Sequence, residues 1–151
     1  MIPQSLNSEL FATYIFYASV LVFKTLFMSI WTARHRIAKK IYPTSEDYKV
    51  EKGHKPPTKF TDDDIERVRR AHLNDLENIL PFLICALLFV ITDPDIVIAK
   101  WFFRIFTTGR ILHTLGYLNA IHGLRGAGFL SSMAVNMAMT VMVICKSFGN
   151  F

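Results

Sequence analysis

Arg67, Arg69, Arg70, His72, Asn74, Asp75 and Glu77 crowd into eleven residues of FTDDDIERVRRAHLNDLENILPF (60–82), which runs on into apolar chain. Arg70, Asn74, Glu77 and Pro81 recur at i, i+4, i+7 and i+11, so on a helix they share one face. Arg110, His113 and Tyr117, at i, i+3 and i+7, share another. Guanidinium groups hold carboxylates through paired hydrogen bonds and keep their charge when desolvated. Arg36, Arg67, Arg69, Arg70 and Arg110 outnumber Asp75 and Glu77. Two readings follow. The layer binds an anionic ligand, or it is a structural network with Arg70 on Glu77 and Arg67 on Asp63 or Asp64.

Depth sharpens the question. A continuous helix over 61–91 is about 46 Å long, against a hydrocarbon core of about 30 Å. Counting back about 20 residues from Ile91 reaches His72. His72, Asn74, Asp75 and Glu77 therefore lie at hydrocarbon depth, with Arg67, Arg69 and Arg70 at the interface. The next helix, entering after Asp93, brings Arg110 and His113 to the same layer, with Tyr117 about one turn further out. Charges in a bilayer are costly and face the bundle interior.

The elements that position these groups are apolar. The chain has 151 residues, 52% of them hydrophobic. The pattern predicts an all-α, integral membrane four-helix bundle in a single domain (1–151), with spans at about 10–36, 61–91, 95–119 and 127–148. The first apolar run is too long for a cleavable leader and reads as a retained span. Between the first two spans lies a polar loop broken by Pro43, Gly53, Pro56 and Pro57. Residues 32–60 carry Arg34, Arg36, Lys39, Lys40, Lys49, Lys52, Lys55 and Lys59, and the TDPD turn (92–95) carries no cation. The positive-inside rule puts the basic loop in the cytosol and the turn on the far side. Flanked by spans, that loop reads as a lipid-headgroup contact, not a nucleic-acid surface. Thr61 is the expected N-cap of the second helix. Asp93 is that of the third, with Pro94 at its first position, and NAIHGLRGAG reads as a Gly-rich turn before the fourth. Lys24 and Arg104 are interior charges expected to pair with each other or with a neighbour. Asn136 is expected to hydrogen-bond across helices. His122 reads as a solvated or interface residue. Cys85 and Cys145 read as packed thiols, and no zinc-ligand spacing occurs.

The stretch ERVRRAHLNDLENILPF (66–82) resembles the second-helix signature of the MAPEG family, membrane-associated proteins of eicosanoid and glutathione metabolism, in its microsomal glutathione transferase branch. FRIFTTGRILHTLGYL (103–118) is similar to the third helix of that branch, with Arg104, the Arg-x-x-His spacing and the later Tyr. The resemblance covers nearly the whole chain. It implies a homotrimer in the endoplasmic reticulum membrane, with the mitochondrial outer membrane as a second location. Glutathione is the implied co-substrate, bound at subunit boundaries near the cytosolic face, and no metal is implied. By motif position the glutathione contacts fall on Arg36, Arg69, Arg70, His72, Asn74, Glu77, His113 and Tyr117. The arginine beside the sulfur falls on Arg125, with Arg110 and Tyr117 in support. The implied activity is conjugation of glutathione thiolate to lipophilic electrophiles, with reduction of lipid hydroperoxides as a second activity. The family's alternatives are a glutathione-dependent prostaglandin E synthase and a non-catalytic lipid-binding protein. Leu73 matches the transferase branch, where the synthase branch carries Arg. Tyr48 stands where mammalian transferases carry a cysteine, so regulation through a thiol there is not expected.

Overall fold

The computed structural model describes residues 8–50 and 62–149. Four long helices, α1 (Ser8–Lys39), α3 (Asp63–Ile91), α4 (Ile96–Leu118) and α5 (His122–Phe148), are joined by short connections and by a loop holding α2 (Asp47–Val50). Pairings along their lengths fix an up-down order. The Tyr14 hydroxyl donates to the Leu83 carbonyl at 3.1 Å, and Lys39 binds Asp62 and Asp64, each at 2.6 Å, so α1 and α3 are antiparallel. Phe82 stacks on Phe106 at 3.8 Å and Phe89 meets Phe102 at 5.9 Å, which sets α4 antiparallel to α3. The core is one apolar cluster that includes Leu21, Phe82, Phe89, Phe103, Phe106 and Met139. Outside it, Phe16, Phe23, Leu26, Ile30, Leu130 and Ile144 are exposed, as suits helices solvated by lipid.

Three helices, α1, α3 and α5, are long and apolar enough to cross a membrane. The expected third span, α4, is not among them, because Lys100, Arg104 and Arg110 interrupt its 23 residues. Each of these charges has a local partner. Lys100 binds Glu9 at 2.6 Å, Arg104 lies over the Trp101 ring at 5.4 Å, and Arg110 pairs with Asp75. Lys24 pairs with Asp75 as well, and not with Arg104.

Helix starts depart from expectation in instructive ways. Asp62 caps α3, its Oδ1 accepting from the Asp64 and Ile65 amides at 3.0 and 3.2 Å. Thr61, the expected cap, lies outside the described residues. Hydrogen bonding to Lys39 holds the Asp62 carboxyl below the usual carboxylate range. Asp95 caps α4, accepting from Val97 and Ile98 at 2.9 and 3.0 Å. Asp93, the expected cap, instead takes a left-handed φ of 49° just past the end of α3, where a helix is commonly terminated. Pro94 therefore lies outside α4. The largest revision is at α5, which begins at His122, five residues before the expected start at 127. Only residues 119–121 turn the chain, with Ala120 at φ 58°. Of the glycines that looked like loop residues, Gly128 lets two helices touch, as Gly116 does from α4, while Gly123 and Gly126 face open space. A Cβ on Gly128 would lie 2.6 Å from the His113 amide nitrogen, and one on Gly116 would collide with the Arg125 backbone. Close α4–α5 packing outweighs the roughly 1 kcal/mol that a helical glycine loses against alanine. The basic loop also holds more order than expected. Tyr48 is buried, and its hydroxyl accepts from the Tyr42 amide at 2.8 Å.

Candidate functional site

The early start of α5 decides the site. It winds Arg125 into the second turn of a helix and turns it back toward α3 and α4. There Arg125, His122, Tyr117, Ala120, Arg67 and Arg70 line a cavity of about 340 Å³ at the end of the bundle that carries the basic loop. The Arg125 guanidinium carbon lies 4.9 Å from the centre of the Tyr117 ring, a cation–π contact. Its Nη2 donates to His122 Nδ1 at 3.0 Å, so that ring nitrogen is unprotonated. Arg67, Arg70 and Arg125 have no carboxylate within 4.0 Å among the described residues, and the Tyr117 hydroxyl has no hydrogen-bond partner there. Three guanidinium groups thus converge on one space with no anion of their own.

His113 stands behind this wall. It is 3% exposed, and its Nδ1 donates to the Arg125 carbonyl at 2.9 Å while its ring packs edge-on against Tyr117 at 5.5 Å. It holds the start of α5 against α4 and positions both Arg125 and Tyr117.

Below the cavity lies a separate charged layer. Asp75 is completely buried. Its Oδ1 accepts from Arg110 Nε at 3.1 Å and Nη2 at 2.6 Å. Its Oδ2 accepts from Lys24 and from the Thr114 hydroxyl, the latter at 3.2 Å. Asn74 Oδ1 accepts from Arg110 Nη2 at 2.9 Å. Removing one member of such a buried pair typically costs about 3–5 kcal/mol, so this layer ties α1, α3 and α4 together. Arg110, expected beside the reacting sulfur, is fully buried in it and does not line the cavity.

The structure therefore divides the expected set. Arg70, Tyr117 and Arg125 come together, with His113 in support. Asn74 and Arg110 belong to the buried layer. Arg69 is exposed and bonded to Glu66, Nε to Oε2 at 2.9 Å, in place of the expected acid pairs. Arg36 and His72 are half-buried and Glu77 exposed, and none of the three lines the cavity. Arg67, His122 and the small Ala120 are the cavity residues missing from the expected set. Arg67 precedes Arg70 by three residues on the same face, which was a readable signal. His122 joins only because α5 begins there. Asn136 makes no cross-helix bond among the described residues, and its Oδ1 is buried without a partner.

The profile of the MAPEG family matches residues 14–145. The chain belongs to that family. It is 39% identical to mouse microsomal glutathione S-transferase 1 over 144 residues, which cover 93% of each chain. With the human protein of the same name it shares 36% over 146 residues, 95% of this chain and 94% of the relative. With rat prostaglandin E synthase, a family member of another branch, it shares 28% over 139 residues, 91% and 90% of the two chains. Among the described residues no group of three His, Cys, Asp or Glu side chains is placed to hold a metal ion.

Proposed function

We propose that the protein is a membrane glutathione transferase, joining glutathione thiolate to lipophilic electrophiles. The observation that carries this is the cavity of unpaired arginines. Glutathione offers two carboxylates, an ammonium and a thiol. Arg67 and Arg70 would take a carboxylate through paired hydrogen bonds, each typically contributing about 1.5–3 kcal/mol. Arg125 would stand at the sulfur. A free thiol has a pKa near 8.5, and a guanidinium in contact lowers it so that thiolate exists at neutral pH. The Tyr117 ring fixes Arg125, and its free hydroxyl is a second donor to the developing thiolate. The thiolate then attacks the electrophile; with an aryl halide the carbon–sulfur bond forms and halide leaves. With a lipid hydroperoxide it attacks the terminal oxygen, releasing the alcohol, and a second glutathione yields the disulfide and water. Neither route draws on a metal.

The remaining contacts implied by the family, Arg36, Arg69, His72 and Glu77, lie off the cavity on α1 and α3, with Arg69 and Glu77 exposed and Arg36 and His72 half-buried. They would reach the same glutathione only if a second copy packed there, which supports a homotrimer with glutathione at its subunit boundaries. In that assembly α4 crosses the bilayer as the fourth span, its three cations paired or stacked. The basic loop and the arginine cavity share one end of the bundle. The positive-inside rule places that end in the cytosol, in keeping with an endoplasmic reticulum or mitochondrial outer membrane protein. Leu73 favours conjugation over prostaglandin isomerisation. The test is conjugation of glutathione to an aryl halide by the purified protein. Arg125→Ala is expected to lower kcat/KM by about 100-fold or more. Undiminished turnover in that variant would refute the assignment of Arg125.

A further inference from the structure

Arg125 is anchored at its main chain and lightly held at its tip. Its amide donates to the Ile121 carbonyl at 3.1 Å, and its carbonyl accepts from His113 at 2.9 Å. Its guanidinium meets two groups among the described residues. One is the face of the Tyr117 ring at 4.9 Å; the other is His122 Nδ1, which accepts from Nη2 at 3.0 Å. A ring face attracts a cation broadly and fixes no angle within its plane, whereas a hydrogen bond is directional. The Tyr117 ring therefore sets where the guanidinium lies, and His122 sets which of its N–H groups turn into the cavity.

The kind of acceptor matters as much as its place. Arg69 and Arg110 are oriented by carboxylates, Glu66 and Asp75. A carboxylate at the start of α5 would also suit the helix dipole. Yet the first turn of α5 holds no acid, and Arg125 finds an uncharged imidazole instead. Because Nδ1 accepts, the ring proton is on Nε2. A carboxylate in that place would orient Arg125 but cancel its charge, and a negative charge nearby disfavours a second anion. The imidazole orients without neutralising. No other cavity side chain can take its part. Arg67 and Arg70 from α3 are donors only, and Tyr117 from α4 meets Arg125 through its ring. His122 itself is exposed, and the Arg125 main chain is held without it, so the core does not depend on this side chain.

We propose that His122 is a positioning residue for the transfer reaction. Its neutral imidazole turns the Arg125 guanidinium toward the glutathione sulfur and leaves that guanidinium its full charge. The proposal rests on the transferase reading of the arginine cavity.

The test compares variants of the full chain in nanodiscs by three readouts. These are thiolate absorbance with glutathione at neutral pH, kcat with an aryl halide, and calorimetric binding of S-methylglutathione, which keeps the carboxylates and has no ionisable thiol. His122→Leu removes the acceptor and lowers the thiolate signal and kcat about tenfold or more, the value of a hydrogen bond to a charged group. Its affinity for S-methylglutathione stays that of the wild type. His122→Asn places an amide oxygen where Nδ1 stood and restores both signals. His122→Asp has the same shape with a negative charge, and fails as the leucine variant does. Full thiolate and turnover in His122→Leu would overturn the proposal, and so would an aspartate variant as active as the asparagine one. Rescue by His122→Gln, which reproduces the Nε2 donor, in place of His122→Asn and together with a change in S-methylglutathione affinity would make His122 a ligand contact and overturn it as well. A wild type that forms no thiolate is a different result, since it removes the transferase reading itself and this role with it.

Discussion

Arg67, Arg70 and Arg125 line one cavity at the margin of the bundle with no carboxylate within 4.0 Å among the described residues, whereas several other cations find an acid. Arg69 has Glu66, Arg110 has Asp75, and Lys39 has Asp62 and Asp64. Arg34 and Arg104 lie over tryptophan rings and Arg36 has no carboxylate either among the described residues, but Arg67, Arg70 and Arg125 are the ones that share a cavity. Their separate weights can be measured. Arg67→Ala and Arg70→Ala are each expected to weaken glutathione binding by about 10- to 100-fold in calorimetric titration, the value of a hydrogen bond to a charged group. Lysine at either position restores only part of it, because a point charge replaces a planar fork. Unchanged affinity in both alanine variants would remove α3 from the ligand site. The residue scale is also where the sequence was most readable. Arg70, Tyr117 and Arg125 were visible from helical spacing and motif position. Arg110 was visible too, but its role was not. Its depth matched the ligand layer, yet whether it faces a cavity or a carboxylate depends on how far α3 rotates toward α4, and Asp75 settles that.

At the scale of elements, the decisive feature is the contact between α4 and α5. Periodicity found the apolar part of α5 but stopped at the glycines, since Gly in a sequence reads as a breaker. What it could not register is that Gly116 and Gly128 lie where a neighbouring backbone approaches too closely for any side chain, and that Gly109 lies against the Ser131 and Ser132 hydroxyls. The same glycines that weaken the helix alone permit the packing that forms it. Gly128→Ala should therefore drive α5 off His113, cost about 1–3 kcal/mol as an overpacked contact, and depress turnover by displacing Arg125. Gly126→Ala meets open space and should be neutral or stabilising by up to about 1 kcal/mol. Thermal unfolding and transferase assays of the pair distinguish this from a general effect of β-carbons in the first turns of α5. The caps tell a similar story. Both Asp93 and Asp95 are plausible before α4, and only the left-handed stop at Asp93 assigns the cap to Asp95.

For the whole molecule, the bundle's charge is sorted by height. The buried layer of Lys24, Asp75 and Arg110 clamps three helices, and the open arginine cavity lies one level nearer the basic loop. The first is a structural network, though through Lys24, Asp75 and Arg110 and not through the expected Arg70–Glu77 and Arg67–Asp63 or Asp64 pairs, and the second is open to an anion. Class, helix number and the charged layer were legible, because apolar length and intramembrane charge are strong signals. The division of that layer was not, because it depends on side chains from three helices meeting. Assembly is the remaining step. Arg36, His72 and Glu77 join the proposed site only if copies pack together, so if the proposed homotrimer forms, glutathione binding should follow it in sedimentation and disappear from detergent-dissociated monomer. Full affinity in a monomer would confine the site to one chain.

The most direct test of the central claim is ultraviolet absorbance in the thiolate band as the purified protein is titrated with glutathione at neutral pH. A saturable thiolate signal in the wild type that vanishes in Arg125→Ala is the predicted result. No thiolate in the wild type, or a full signal that survives loss of Arg125, would contradict the account.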